Sequence, residues 1–142
     1  MSQKVKIKIK NVQKMNNGKK DLIENIVKGI FYIKKDIYYL VYQDYSEGMD
    51  GAETIIKVDP AADKIFIIRG KPARMRQTFT RNSINKGKYH TRYGKFDIKN
   101  RTNFMEYKMG KKQGRIELAY DLFLNQKKHA SNKLIITYYS PD

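Results

Sequence analysis

The sequence predicts an all-β protein, an antiparallel meander of about ten strands, on three observations. Near the start, Val5, Ile7 and Ile9 alternate with Lys4, Lys6, Lys8 and Lys10. Far downstream, Ile116, Leu118, Tyr120, Leu122 and Leu124 alternate with Arg115, Glu117, Ala119, Asp121 and Phe123. A period of two puts every second side chain on one face of a strand, so each segment buries one face and wets the other. Third, turn residues interrupt the chain at the short, fairly regular intervals of a sandwich or barrel.

The elements follow in order. Asn16-Asn17-Gly18 closes the first strand with residues that tolerate positive φ. The next segment is ambiguous. Leu22, Ile23, Ile26, Val27 and Ile30 recur at helical spacing, with Asp21 as an N-cap and Glu24 three residues on. Ile30-Phe31-Tyr32-Ile33 then reads as strand, and Gly29 serves either as a helix stop or as a strand kink. The local pattern leaves helix and strand open over residues 21–28. Lys34-Lys35-Asp36 separates this run from the aromatic, β-branched residues 37–45.

Further interruptions fall at residues 47–51, at Asp59-Pro60-Ala61-Ala62-Asp63, at Gly70-Lys71-Pro72, at residues 82–87, at Gly94, at residues 110–114 and at residues 129–132. Their short spacing favours a meander over crossovers. Ala73, Met75, Gln77 and Phe79 share one face, opposite Arg74, Arg76, Thr78 and Thr80. Leu134, Ile136 and Tyr138 likewise oppose Lys133, Ile135, Thr137 and Tyr139. The expected core includes Ile7, Met75, Phe79, Leu118, Tyr120 and Ile136.

At 142 residues with 40% hydrophobic content, the chain reads as one domain over residues 1–142 with a single core. No cysteine is present, which excludes disulfides, thiolate metal sites and a cysteine nucleophile. The lysine-alternating start is not a secretory signal, and no run approaches the ~20 apolar residues of a membrane helix. The expected location is the cytoplasm, away from membranes.

Lys and Arg total 30 against 14 acids, a net charge of +16. Codon bias accounts for lysine in a chain also rich in Asn, Ile and Tyr. It does not account for placement. Six of the seven arginines, Arg69, Arg74, Arg76, Arg81, Arg92 and Arg101, fall within residues 69–101 with five lysines and the single acid Asp97. A field of that sign attracts polyanions.

Several ordered segments resemble the YwiB-like family of small bacterial β-barrels. They are residues 70–79, Tyr89-His90-Thr91-Arg92-Tyr93-Gly94-Lys95-Phe96 with Thr102, residues 114–122, and Asn132-Lys133-Leu134-Ile135-Ile136-Thr137-Tyr138. The resemblance implies a closed barrel of the lipocalin or calycin type, of about 8–10 strands. It further implies that residues 21–34 form one long strand bent near Gly29. It carries over no activity, ligand or catalytic residue.

The catalytic inventory is thin, and no enzyme is expected. His90 and His129 are the only histidines, and neither has partners at metal-ligand spacing. Glu117 and Asp121 share a face but stand roughly 13 Å apart at ~3.3 Å per residue. Paired catalytic carboxylates need about 5–9.5 Å. No cofactor is implied.

Two binding readings remain. The leading one is an anionic partner, nucleic acid or another polyanion, on a face built from Arg74, Arg76 and Arg92 with Arg69, Arg81 and Arg101. Tyr89 and Tyr93 would supply stacking faces. The alternative is a small apolar ligand in the lumen, lined by Met75, Gln77, Phe79, Tyr120, Leu122 and Tyr138. Gln77, if inward, must find hydrogen-bond partners, and tying strands together is the favoured use.

Overall fold

The computed structural model describes residues 2–46 and 48–141. Ten strands follow one another: β1 (Ser2–Met15), β2 (Lys20–Lys34), β3 (Ile37–Asp44), β4 (Ala52–Asp59), β5 (Lys64–Arg69), β6 (Arg74–Thr80), β7 (Ile84–Thr91), β8 (Gly94–Met109), β9 (Gln113–Leu124) and β10 (Lys127–Tyr139). Each pairs antiparallel with its neighbours in sequence, and β1 also pairs with β10, so the sheet closes on itself. The expected ten-strand, meandering closed barrel is the fold, and no described residue is helical.

Residues 21–28 are extended. β2 pairs with β1 from Lys14↔Lys20 to Ser2↔Tyr32. The helically spaced apolar residues do not converge on one buried face: Leu22 and Ile26 point outward and are exposed, while Ile23 and Val27 point inward. Long-range pairing overrides the local period here.

Two expected turns are displaced. Residues 84–87 belong to β7, and the turn is confined to residues 81–83. Gly87 sits within the strand because a Cβ there would collide with the Arg76 carbonyl of β6. Residues 129–132 belong to β10, where His129 falls at a register shift, and the turn lies at Asn125 and Gln126, both with positive φ.

The two ends of the barrel differ. At the closed end, marked by the turns at residues 35–36, 60–63, 81–83 and 110–112, side chains fill the interior. Phe31 stacks on Tyr138 with ring centroids 4.8 Å apart, and the Tyr138 hydroxyl donates to the Gly110 carbonyl at 2.6 Å. Ile7, Leu40, Val58, Ile65, Phe79 and Ile116 complete that packing. The expected core residues are buried except Met75, which lies nearer the opposite, open end and is half-buried.

The wall parts in two places. β6 and β7 pair only over residues 74–76 with 88–90, and β2 and β3 only over residues 29–34 with 37–42. The first parting is plugged from inside. Gln77 Nε2 donates to Asn100 Oδ1 at 3.0 Å, and Asn100 Nδ2 reaches the Thr78 carbonyl at 3.4 Å. Both side chains are buried, so Gln77 ties strands together, the use favoured from sequence.

Candidate functional site at the open end of the barrel

The open end carries the turns at residues 16–19, 48–51, 70–73, 92–93 and 125–126, with residues 45–46 leading out of β3. Inside it lies a cavity of about 280 Å³, just below the usual range of ligand pockets. Its apolar lining comes from Ile9, Ile23, Ile56, Ile67, Met75, Leu122 and Leu134. Its polar lining comes from Asn11, Asn25, Tyr42, Asp44, Arg69, Gln77, Tyr120 and Asn132. Of the lumen residues expected from sequence, Met75, Gln77, Tyr120 and Leu122 line this cavity. Phe79 and Tyr138 lie deeper, in the packed end, where Phe79 meets the Tyr120 ring edge-on at 4.8 Å.

Strand alternation explains how charge reaches the interior. Ile65, Ile67 and Arg69 share the inward face of β5, so Arg69 enters the lumen instead of joining the outer basic face expected for it. Its Nη2 lies 3.5 Å from Asp44 Oδ2 on β3. Asp44 also accepts from the Ser46 amide at 2.9 Å and from the Ser46 hydroxyl at 2.5 Å. Arg69 Nε is buried with no partner among the described residues. On β1 and β10, Asn11 Nδ2 approaches Asn132 Oδ1 at 3.4 Å, which leaves Asn11 Oδ1 and Asn132 Nδ2 unmatched.

Burial pushes the Tyr42 and Tyr120 phenols up to about 12, partly offset by the nearby Arg69 charge. Both are neutral near pH 7 and available as hydrogen-bond donors. The mouth therefore presents a guanidinium, amides and phenols around an apolar floor, which is recognition chemistry. Its carboxylate, Asp44, is held by Arg69 and Ser46.

The outer arginines divide. Arg81 donates through Nε to Asp63 at 2.8 Å and also bonds the Met105 carbonyl, binding the closed end together. Arg92, in the turn between β7 and β8, lies over the Tyr93 ring at 4.9 Å. Arg101 sits opposite Asp121 and lies 5.9 Å from the Phe123 ring centroid. Arg74 and Arg76 stand outward on β6, opposite His90 and Lys88. His90 in turn faces Lys95, Lys88 faces Asp97, and Lys86 faces Lys99. Register thus gathers the basic stretch into one outer panel on β6, β7 and β8, with Asp97 as its acid.

Asp44, Asn11, Asn25 and Asn132 escape a reading by residue type. Their signal in the sequence is positional: a polar residue at the inward parity of an apolar strand, as Asp44 follows Leu40 and Tyr42, and Asn132 precedes Leu134 and Ile136. Glu117 and Asp121 are outward ion-pair partners, of Arg115 at 2.8 Å and Lys128 at 3.5 Å.

Comparison with known proteins places this barrel among relatives. Residues 7–136 match a family described as a domain of unknown function, DUF1934. The chain is 25% identical over 123 residues to the uncharacterized β-barrel protein YwiB of Bacillus subtilis (strain 168), covering 87% of this chain and 84% of YwiB. The crystal structure of the YwiB protein matches with a TM-score of 0.87, over 99% of this chain and 94% of that one, at 23% sequence identity.

Proposed function

We propose a function from the premise that the chain belongs to the DUF1934 family of β-barrel proteins: it binds a compact molecule bearing a carboxylate or similar anionic group in the open end of the barrel. The observation that carries this reading is Arg69, a cation on an inward strand position with its buried Nε unmatched. A buried donor without a partner costs about 1–3 kcal/mol. A ligand oxygen at that position removes the cost and adds a charge-assisted bond. The unmatched Asn132 amide nitrogen and Asn11 amide oxygen supply further orienting contacts. The apolar floor takes the body of the ligand, so the purely apolar ligand expected from sequence becomes one with a polar head. The role is binding rather than catalysis, in keeping with a mouth of amides, phenols and a paired guanidinium.

The test is an NMR titration of labelled protein with a panel of small carboxylates, phosphates and matched neutral analogues. Saturable shifts centred on Arg69, Asn132, Gln77 and Tyr120, lost in Arg69→Gln, support the reading. A panel that shifts only the outer faces of β6 to β8, or nothing, overturns it.

A second reading, the polyanion partner, is favoured by the outer panel. Like charges directly across a sheet are destabilising, yet Arg76 faces Lys88 and Lys86 faces Lys99. A bound polyanion relieves that repulsion. Affinity for a short single-stranded oligonucleotide should fall steeply with salt as counterions are released. It should fall further in Arg74→Ala/Arg76→Ala than in Lys6→Ala/Lys8→Ala. Equal losses in the two doubles would reduce the effect to diffuse charge attraction.

A further inference from the structure

The second parting of the wall is open. Beyond Gly29, β3 leaves the edge of β2, and a groove of about 650 Å³ lies between them. Residues 20–28 of β2 pair with β1 on one side and with no strand on the other. Where β6 and β7 part, Asn100 bonds to the Gln77 side chain and the Thr78 carbonyl. At β2, among the described residues, no side chain and no turn backbone bonds to this edge. Its outward residues include Leu22 and Ile26, 62% and 68% exposed. A bare strand edge with exposed apolar side chains is a template for another strand.

We propose that the occupant is a second copy of this chain, joined edge to edge and antiparallel through β2 about a two-fold axis at Leu22. Geometry restricts the choice. Residues directly opposite in an antiparallel pair share a face, so a two-fold axis normal to the sheet must pass through a residue. With Leu22 on the axis, Leu22 meets its own copy, and Lys20 meets Glu24 twice. With Glu24 on the axis, Leu22 meets Ile26, but Glu24 meets Glu24 and Lys20 meets Lys28, so every charged pair on the outer face is of like sign. An axis at Ile23 sets Leu22 against Glu24 and Ile26 against Lys20. Axes at Asn25 or Ile26 run the partner strand into residues 29 and 30, whose edge β3 already holds. Of these registers the Leu22 one alone sets opposite charges against each other on a free edge, and it places Asp21 against Ile23 on the inner face. The +16 charge of each copy opposes association, so moderate salt favours it.

The test is sedimentation equilibrium of the full chain across a concentration series in moderate salt. Wild type should pass from monomer to dimer. Glu24→Lys, which sets Lys against Lys20, and Lys20→Glu, which sets Glu against Glu24, should each weaken dimerisation about tenfold or more. The double variant Lys20→Glu/Glu24→Lys should restore it. Far-UV circular dichroism shows that each variant is folded, and Lys20→Glu, opposite Lys14 on β1, is the single variant least disturbing to the hairpin. Wild type that remains monomeric at about 0.5 mM, which excludes a Kd tighter than millimolar, overturns the proposal and leaves a strand from another protein as the occupant. So does a dimer indifferent to both single variants, or one that the double variant fails to restore.

Discussion

Replacing Asn100 by Leu tests what holds the wall closed between β6 and β7. Asn100 is fully buried on β8 and makes two bonds: it accepts from Gln77 Nε2 at 3.0 Å and donates to the Thr78 carbonyl at 3.4 Å. Leucine has the same branching and number of side-chain heavy atoms, with somewhat more bulk, so the change removes the bonds without opening a cavity. Two buried groups are left unmatched, the Gln77 amide and the Thr78 carbonyl, at about 1–3 kcal/mol each. The longer bond weighs less, which brings the expected loss to about 2–4 kcal/mol. At roughly 2–4 °C per kcal/mol for a domain of this size, the melting temperature should fall by about 5–15 °C.

The assay is urea unfolding followed by far-UV circular dichroism and tyrosine fluorescence, with a lower midpoint and an unchanged slope. Gln77→Leu should cost a similar amount. The double variant Gln77→Leu/Asn100→Leu should cost at least about 1 kcal/mol less than the sum, because an apolar pair leaves fewer groups unmatched. A loss below about 0.5 kcal/mol for Asn100→Leu, the range of an ordinary surface change, or strict additivity in the double, would refute the plug.

Three further outcomes follow. Leu118, fully buried in the core, should cost about 2–5 kcal/mol on replacement by Ala; a loss under about 0.5 kcal/mol by urea unfolding would mean that the faces of β9 are misassigned. Burial raises Tyr42 and Tyr120 to about 12 and raises Tyr138 as well. A raised phenol contributes stability that is intact below its unfolded value near 10 and is lost as pH climbs through the folded value. Tyr107 is raised too, by burial and by its bond to Asp63, so absorbance at the phenolate band should show four of the eleven tyrosines ionising late, the buried ones together with unfolding; a single transition near pH 10 with the fold intact would contradict it. Burial alone would raise Asp121, but hydrogen bonds from Ser131 and Asn103 and the Lys128 charge bring it below its usual value. A lowered carboxylate contributes stability that is present above pH ~4 and lost as pH falls below it, so Asp121→Asn should flatten the acid limb of a midpoint-versus-pH series.

Strand identity was legible because a half-buried strand writes its two faces into alternate residues, as in Val5, Ile7 and Ile9 or Leu134, Ile136 and Tyr138. Pairing was not legible where it competes with a local period. Residues 21–28 look helical because Leu22 and Ile26 are apolar and yet exposed, a pattern that β1 pairing tolerates and local reasoning cannot anticipate. The turn at Asn125 and Gln126 was missed because it carries no glycine, and His129 sits within β10 because a register shift, not a loop, absorbs it. The site was half legible. Residue type grouped Arg69 with the outer arginines, whereas its parity with Ile65 and Ile67 already assigned it to the lumen.

Buried polar residues in this barrel fall into two kinds, and hydrogen-bond satisfaction separates them better than residue type. Gln77 and Asn100 complete one another, so they belong to the wall. Asn132 is buried at the mouth with only a 3.4 Å contact from Asn11, and its amide nitrogen is unmatched. An asparagine kept there sacrifices stability that a leucine would supply, as binding sites commonly do. Asn132→Leu should therefore be neutral or stabilising by up to about 1 kcal/mol, the opposite sign from Asn100→Leu, while weakening the binding of any carboxylate found by titration. Urea unfolding reads the first effect and NMR titration the second. If Asn132→Leu instead destabilises the barrel as much as Asn100→Leu does, the mouth asparagine is structural, and the case for a ligand beside Arg69 loses its second support.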